Sequence, residues 1–122
     1  MKFGEYLRQK RLKKNMKAKT FAELLEISPA YLSSLENGSR QPPSNELLEK
    51  MAAILGLSTD ERYLLFDLAG ENKNPQEIAK DLTEYIYQNP QIIEILRYGM
   101  KCRLSEREWS IILNFVNRIY KY

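Results

Sequence analysis

Residues 18–43 read AKTFAELLEISPAYLSSLENGSRQPP, and this stretch decides the fold. Apolar residues recur at three- and four-residue steps: Phe21, Ala22, Leu24 and Leu25 in its first half, Leu32 and Leu35 in its second. Glu26-Ile27-Ser28 interrupts that helical period, and Ser28-Pro29 reads as an N-cap followed by proline at the first helical position. Asn37-Gly38 closes the second segment with the residue that most often ends a helix in the left-handed conformation. Two short helices, spanning about 18–25 and 29–36, therefore flank a tight turn. A steep crossing buries Ala22, Ile27, Leu32 and Leu35, and the small side chain of Ala22 allows close approach. Pro29, Ala30, Ser33, Ser34 and Asn37 are left outward as a narrow face of small and polar side chains. A helix that enters the major groove of duplex DNA needs such a face, because bulky residues hold it off the base edges.

Working outward, the same period predicts helices over 3–14, 45–55, 59–70, 75–88, 90–100 and 106–120, with no strand pattern. The first should turn Phe3, Leu7 and Leu12 inward with basic residues between them. Ser39 to Ser44, with Pro42 and Pro43, is a loop, and Gly56 stops the helix that follows it. Ser58 with Glu61 and Ser105 with Glu108 have capping-box spacing. Asn74-Pro75 and Asn89-Pro90 each read as a cap-plus-proline helix start. The short polar run Glu71–Asn74 is the best boundary, dividing an N-terminal domain, 1–70, from a helical segment, 75–122. The expected class is all-α.

Composition narrows the function. The 122 residues include one cysteine, Cys102, and no histidine, which removes the commonest general base and zinc ligand. With no nucleophile–base pair, metal cluster or phosphate loop, the expectation is a non-enzyme without catalytic residues, metal or cofactor. No long apolar run and no signal-peptide core is present, so the expected setting is cytoplasmic, away from any membrane. The net charge of +3 is unevenly spread. Residues 1–20 carry eight basic side chains against Glu5 alone, a net +7, and the other 102 carry eleven basic and fifteen acidic, a net −4. A basic end on a slightly acidic body suits either a polyanion-facing surface or the wet side of an amphipathic helix.

Leu7 and Arg11, Phe21-Ala22, the run Ile27-Ser28-Pro29-Ala30-Tyr31-Leu32-Ser33-Ser34-Leu35-Glu36-Asn37-Gly38, then Arg40, Pro42, Leu47-Leu48, Ala52 and Leu55-Gly56-Leu57-Ser58 together resemble the Cro/CI-type (Xre) helix-turn-helix family of phage and bacterial repressors. The likeness covers about residues 5–69. It implies a five-helix, lambda-repressor-like domain whose third helix lies in the major groove. It implies base-edge positions at Pro29, Ala30, Ser33 and Ser34, and phosphate contacts from Lys17 and Lys19 and from Asn37, Gly38, Ser39 and Arg40. It also implies a structural ion pair between Arg11 and Glu36. Where the family usually has glycine in the turn this chain has Glu26, which is expected to take a positive φ. The reading face lacks Arg, Lys and Gln, so base reading would rest on serine hydroxyls, apolar contact from Pro29 or Ala30, and DNA shape.

Tyr85, Tyr87, Tyr98, Trp109, Phe115, Tyr120 and Tyr122 crowd the tail, as core and subunit contacts rather than a stacking platform for bases. Trp109, Ile112, Leu113, Val116, Ile119 and Tyr120 form one helical stripe, with Ile111 and Phe115 beside it. With Ile92, Ile93, Leu96 and Met100 in the preceding helix, the apolar surface is wider than one neighbouring helix covers. The pair resembles, more weakly, the helical-hairpin dimerisation tails of small bacterial repressors, and folding back onto the N-terminal domain is the alternative. The functional expectation is a homodimeric repressor that covers an inverted-repeat operator in double-stranded DNA, with a protein antagonist as a further candidate partner. The alternative is an antitoxin-like or antagonist-regulated interaction module that keeps the fold and binds DNA weakly.

Overall fold

The computed structural model describes residues 1–120, so Lys121 and Tyr122 lie outside the described residues. Every regular element among those described is an α-helix: α1 Phe3–Lys13, α2 Ala18–Leu25, α3 Pro29–Asn37, α4 Asn45–Leu55, α5 Thr59–Glu71, α6 Lys80–Gln88, α7 Pro90–Cys102 and α8 Glu106–Ile119. The chain forms two compact units that meet between Leu82 and Thr83 in sequence.

In the first unit α1 packs on α3 and α5, α2 on α3 and α4, and α4 on α5. Leu7, Phe21, Ala22, Leu32, Leu48, Met51 and Leu65 are fully buried at the centre. Local chemistry starts and stops these helices. Ser28 and Ser44 accept from Tyr31 N and Leu47 N, and Ser58 and Glu61 make a complete capping box. Gly38 (φ 83°) and Gly56 (φ 60°) supply left-handed C-terminal residues. Gly4 is needed for proximity: a Cβ there would collide with the Glu36 carbonyl, so α1 lies directly against the end of α3.

Three expectations need correction. Leu12 is 51% exposed, not inward. It lies five residues, or about 140°, from Leu7, whereas Arg11 is one turn on and takes the buried position. Ile27, expected in the core, is only half-buried at the turn. The sixth helix begins at Lys80 rather than at Pro75. Residues 75–79 run irregularly across the first unit, where Glu77 N donates to Gly70 O at 3.0 Å and Ala79 enters the core. Those tertiary contacts override the local start signal.

The second unit contains the α7–α8 pair. Arg103 takes a positive φ of 54° at the turn, Leu104 N donates to Gly99 O, and Ser105 with Glu108 caps α8. Gly99 is buried against the Trp109 ring, which fills the space a Cβ would need.

Glu26 has φ 59° and ψ 39°, with its N–H on Glu23 O and the next on Ala22 O. A Cβ costs about 1–2 kcal/mol there, and glycine's greater unfolded-state entropy returns part of that. Glu26→Gly should stabilise the unit by roughly 0.5–1 kcal/mol in urea unfolding; a loss of that size would contradict the turn geometry. Glu61 offers a second check. The Lys10 ammonium, and then Ser58 at the capping box, hold its carboxyl down to about 2 from an ordinary 4.5. A depressed carboxylate contributes stability that is complete above its unfolded pKa and lost as pH falls through the folded one. Wild type should therefore lose more stability than Glu61→Gln between about pH 4.5 and 2, with the gap closed at the acid end.

Candidate nucleic-acid interface

The outward side of α3 begins at its cap. Ser28 Oγ accepts from Tyr31 N at 3.0 Å and Ser28 O accepts from Leu32 N at 3.1 Å, which fixes the start of a helix only nine residues long. Leu32 and Leu35 enter the core, leaving Pro29, Ala30 and Ser33 exposed and Ser34 half-buried. Ser34 Oγ donates to Ala30 O at 3.0 Å. Its proton is thereby used inside the helix, and the hydroxyl presents lone pairs outward as an acceptor.

The loop after α3 is organised by its own polar groups. Asn37 Oδ1 accepts from Ser39 N at 2.8 Å, a side-chain mimic of a turn, and Gly38 carries the positive φ this requires. Arg40 N donates to Ser34 O at 3.2 Å, and its guanidinium lies 5.9 Å from the centre of the Tyr31 ring. Tyr31 is therefore a positioning residue for Arg40. The two lie nine positions apart across the end of α3 and the loop after it, so no helical period signals the contact. Lys17 is the N-cap of α2 without a side-chain cap bond, and Lys19 follows in the exposed first turn. The N–H groups of that turn and two ammonium groups together favour a phosphate.

Behind this face Arg11 and Glu36 form a bidentate pair, Nε to Oε2 at 2.8 Å and Nη2 to Oε1 at 2.9 Å. Both side chains are only 9% exposed. Arg11 Nη1 also donates to Met16 O at 2.9 Å, so one guanidinium joins α1, α3 and the loop into α2. The Glu36 hydrogen bonds raise the Arg11 pKa further, against the cost of burial.

In the second unit Ile92, Ile93 and Trp109 are half-buried, whereas Leu96, Ile112, Val116, Ile119 and Phe115 are exposed, Phe115 at 61%. Among the described residues no cluster could hold a metal ion, and no helix is long and apolar enough to cross a membrane.

The helix-turn-helix family model matches residues 7–62. The HTH-type transcriptional regulator SinR of Bacillus licheniformis is 34% identical over 113 residues, covering 92% of this chain and 89% of that protein. This chain belongs to the Cro/CI-type helix-turn-helix family. SinR of Bacillus subtilis (strain 168) is 28% identical over 109 residues, covering 86% of this chain and 97% of that protein. The ImmF control region 10 kDa protein of Bacillus phage phi105 is 38% identical over 56 residues, 46% of this chain and 61% of that one. A solved SinR protein/SinI protein complex aligns over 94% of each chain at 23% identity and a TM-score of 0.48. As a member of this helix-turn-helix family, the protein is a DNA-binding transcriptional regulator.

The helix-turn-helix geometry depends on the Arg11–Glu36 pair. Glu36→Ala would strand a buried guanidinium and should cost about 3–5 kcal/mol in denaturant unfolding. The double change Arg11→Met, Glu36→Leu removes both charges and should recover most of that loss; failure to recover would mean that the pair's charge, not its packing, carries the stability.

Proposed function

We propose that this protein is a cytoplasmic repressor that acts as a homodimer, occupying an inverted-repeat operator without any chemistry of its own. The exposed face of α3 with its phosphate-seeking flanks carries this reading: Pro29, Ala30, Ser33 and Ser34 meet base edges, while Lys17, Lys19, Asn37, Gly38, Ser39 and Arg40 hold the backbone on either side. With only small side chains on the helix, phosphate neutralisation supplies most of the affinity. Ser34, as an acceptor, suits a base-edge donor such as the amino group of adenine or cytosine. Ala30 and Pro29 suit the methyl group of thymine.

Within the segment 75–122, dimerisation falls to the second unit, from Thr83 onward, because residues 75–79 pack on the first. Leu96, Ile112, Phe115, Val116 and Ile119 are large apolar side chains exposed on α7 and α8, and self-pairing would cover them together with Ile92, Ile93 and Trp109. Two recognition helices joined in this way can meet major grooves about 34 Å, or a multiple of that, apart.

If a dimer engages roughly 6 phosphates, log K should fall against log salt with a slope of about −5. Arg40→Ala should weaken binding to every duplex alike and flatten that slope by about one unit. Ser34→Ala should instead change the preference among sequences and leave the slope nearly unchanged. A flat salt response on all duplexes would overturn the reading. Light scattering at tens of micromolar tests the dimer: the full chain should be dimeric and Phe115→Asp monomeric, and a monomeric wild type would refute self-pairing.

A further inference from the structure

Of the eight asparagines in the chain, Asn37 alone precedes glycine. Asn74 and Asn89 precede proline, which has no N–H, and the rest precede residues with large side chains. The distinction is chemical. The amide nitrogen of the next residue can attack an asparagine side chain and close a succinimide ring, and any side chain on the attacking residue crowds that ring. Glycine leaves it open.

The end of α3 brings both partners of this reaction together. The nucleophile is the Gly38 nitrogen. At the ends of α2 and α4 the N–H of the left-handed residue is tied back to its helix, Glu26 N to Glu23 O and Gly56 N to Ala53 O. Among the described residues Gly38 N has no such bond to α3. Its surroundings are open as well: no atom lies within 4 Å of the place a Cβ on Gly38 would take. The electrophile is Asn37 Cγ. Asn37 Oδ1 accepts from Ser39 N at 2.8 Å, and a bond to the second residue on folds the side chain back along Gly38. The same donor stabilises negative charge that develops on Oδ1 during attack. Asn37, Gly38 and Ser39 are all exposed, so water reaches the site.

Other asparagines are placed differently. Asn72 Oδ1 is held by Phe3 N of α1, away from its own following residue. Asn114 and Asn117 lie inside α8, where the next N–H is used in the helix ladder.

We propose that Asn37 is a site of spontaneous covalent modification, converted by its neighbour Gly38 into aspartate and isoaspartate. The Gly38 amide gives its proton to hydroxide, and its nitrogen forms a bond to Asn37 Cγ. The Cγ–Nδ2 bond breaks, and the departing nitrogen takes a proton from water and leaves as ammonia. Water then opens the ring. Attack at Cγ restores the main chain with aspartate at position 37, and attack at the backbone carbonyl reroutes the chain through the side chain as isoaspartate. Nothing is oxidised or reduced, and the net change is one water consumed and one ammonia released. Either product sets a new carboxylate at the C-terminal end of α3, where the helix dipole disfavours it. Isoaspartate also lengthens the main chain between α3 and Arg40, which disturbs the bond from Arg40 N to Ser34 O. The chemistry at Asn37 stands apart from DNA. Its consequence, a slow and irreversible weakening of the α3 face, rests on the placement of DNA proposed above.

The test is to age the full chain in mildly alkaline buffer and follow the intact mass and the peptide that contains residue 37. Wild type should gain the mass difference between NH₂ and OH at residue 37 before any other asparagine does, and faster as pH rises. Part of the product should accept a methyl group from an isoaspartate methyltransferase. Asn37→Ser should lose the gain at that site. Gly38→Ala meets no neighbour and should gain it on the order of tenfold more slowly, a barrier about 1.4 kcal/mol higher. The proposal is overturned if another asparagine converts first, or if Gly38→Ala converts as fast as wild type. Aged wild type should then bind duplex with a salt slope flatter by about one unit, and saturating duplex during ageing should slow the gain. Conversion with neither effect would keep the modification site and remove DNA from this loop. Intact DNA binding with no conversion at residue 37 would sink the modification alone.

Discussion

The buried fork between Arg11 and Glu36 is the constraint on which the interface depends. A helix of nine residues is marginal alone, so α3 exists and points outward only because other elements hold it. Leu32 and Leu35 fix its depth in the core, and Ser28 and Gly38 fix its ends. None of these sets its rotation as firmly as a planar guanidinium that binds both Glu36 oxygens and the Met16 carbonyl at once. Lysine could supply the charge but not the fork. Desolvating the two charges offsets much of their attraction, so the pair's contribution is one of geometry more than of net stability. Gly4 belongs to the same constraint, because only without a Cβ can α1 lie close enough to the end of α3.

What the sequence makes legible follows from the range of each interaction. Ser28-Pro29, Ser44, Ser58 with Glu61 and Ser105 with Glu108 act over three or four residues, and the helices start where those caps stand. The left-handed conformation at Glu26 was readable too, but only through the family resemblance, which has glycine at that position of the turn. Asn74-Pro75 shows the limit. It carries the same start chemistry as Asn89-Pro90, yet the chain from Pro75 remains irregular because Glu77 and Ala79 have partners on the first unit. Leu12 fails for a different reason: apolar identity suggested burial, while helix phase gave that place to Arg11, a residue that hydrophobic counting never selects. At the candidate site, helix spacing exposes Pro29, Ala30 and Ser33. The hold of Tyr31 on Arg40 joins the helix to the loop that follows it, a contact that no spacing encodes.

The small reading face shapes how such a protein can discriminate. Serine hydroxyls and methyl contacts offer less per base than a bidentate arginine or glutamine, so one head can separate sequences only modestly. Backbone contacts then carry the binding, and they are indifferent to sequence except through the shape of the duplex. Selectivity in that regime comes from requiring two weak readings at once. When two heads are joined, the second binding step is intramolecular, and the pair gains avidity with no new contact to any base. The discrimination of each head multiplies with that of its partner, whereas a single half-site is held loosely. On the proposed dimer, the wide apolar surface of α7 and α8 complements the bareness of α3: a helix with so few reading groups is useful to a regulator chiefly when something else makes it act in pairs.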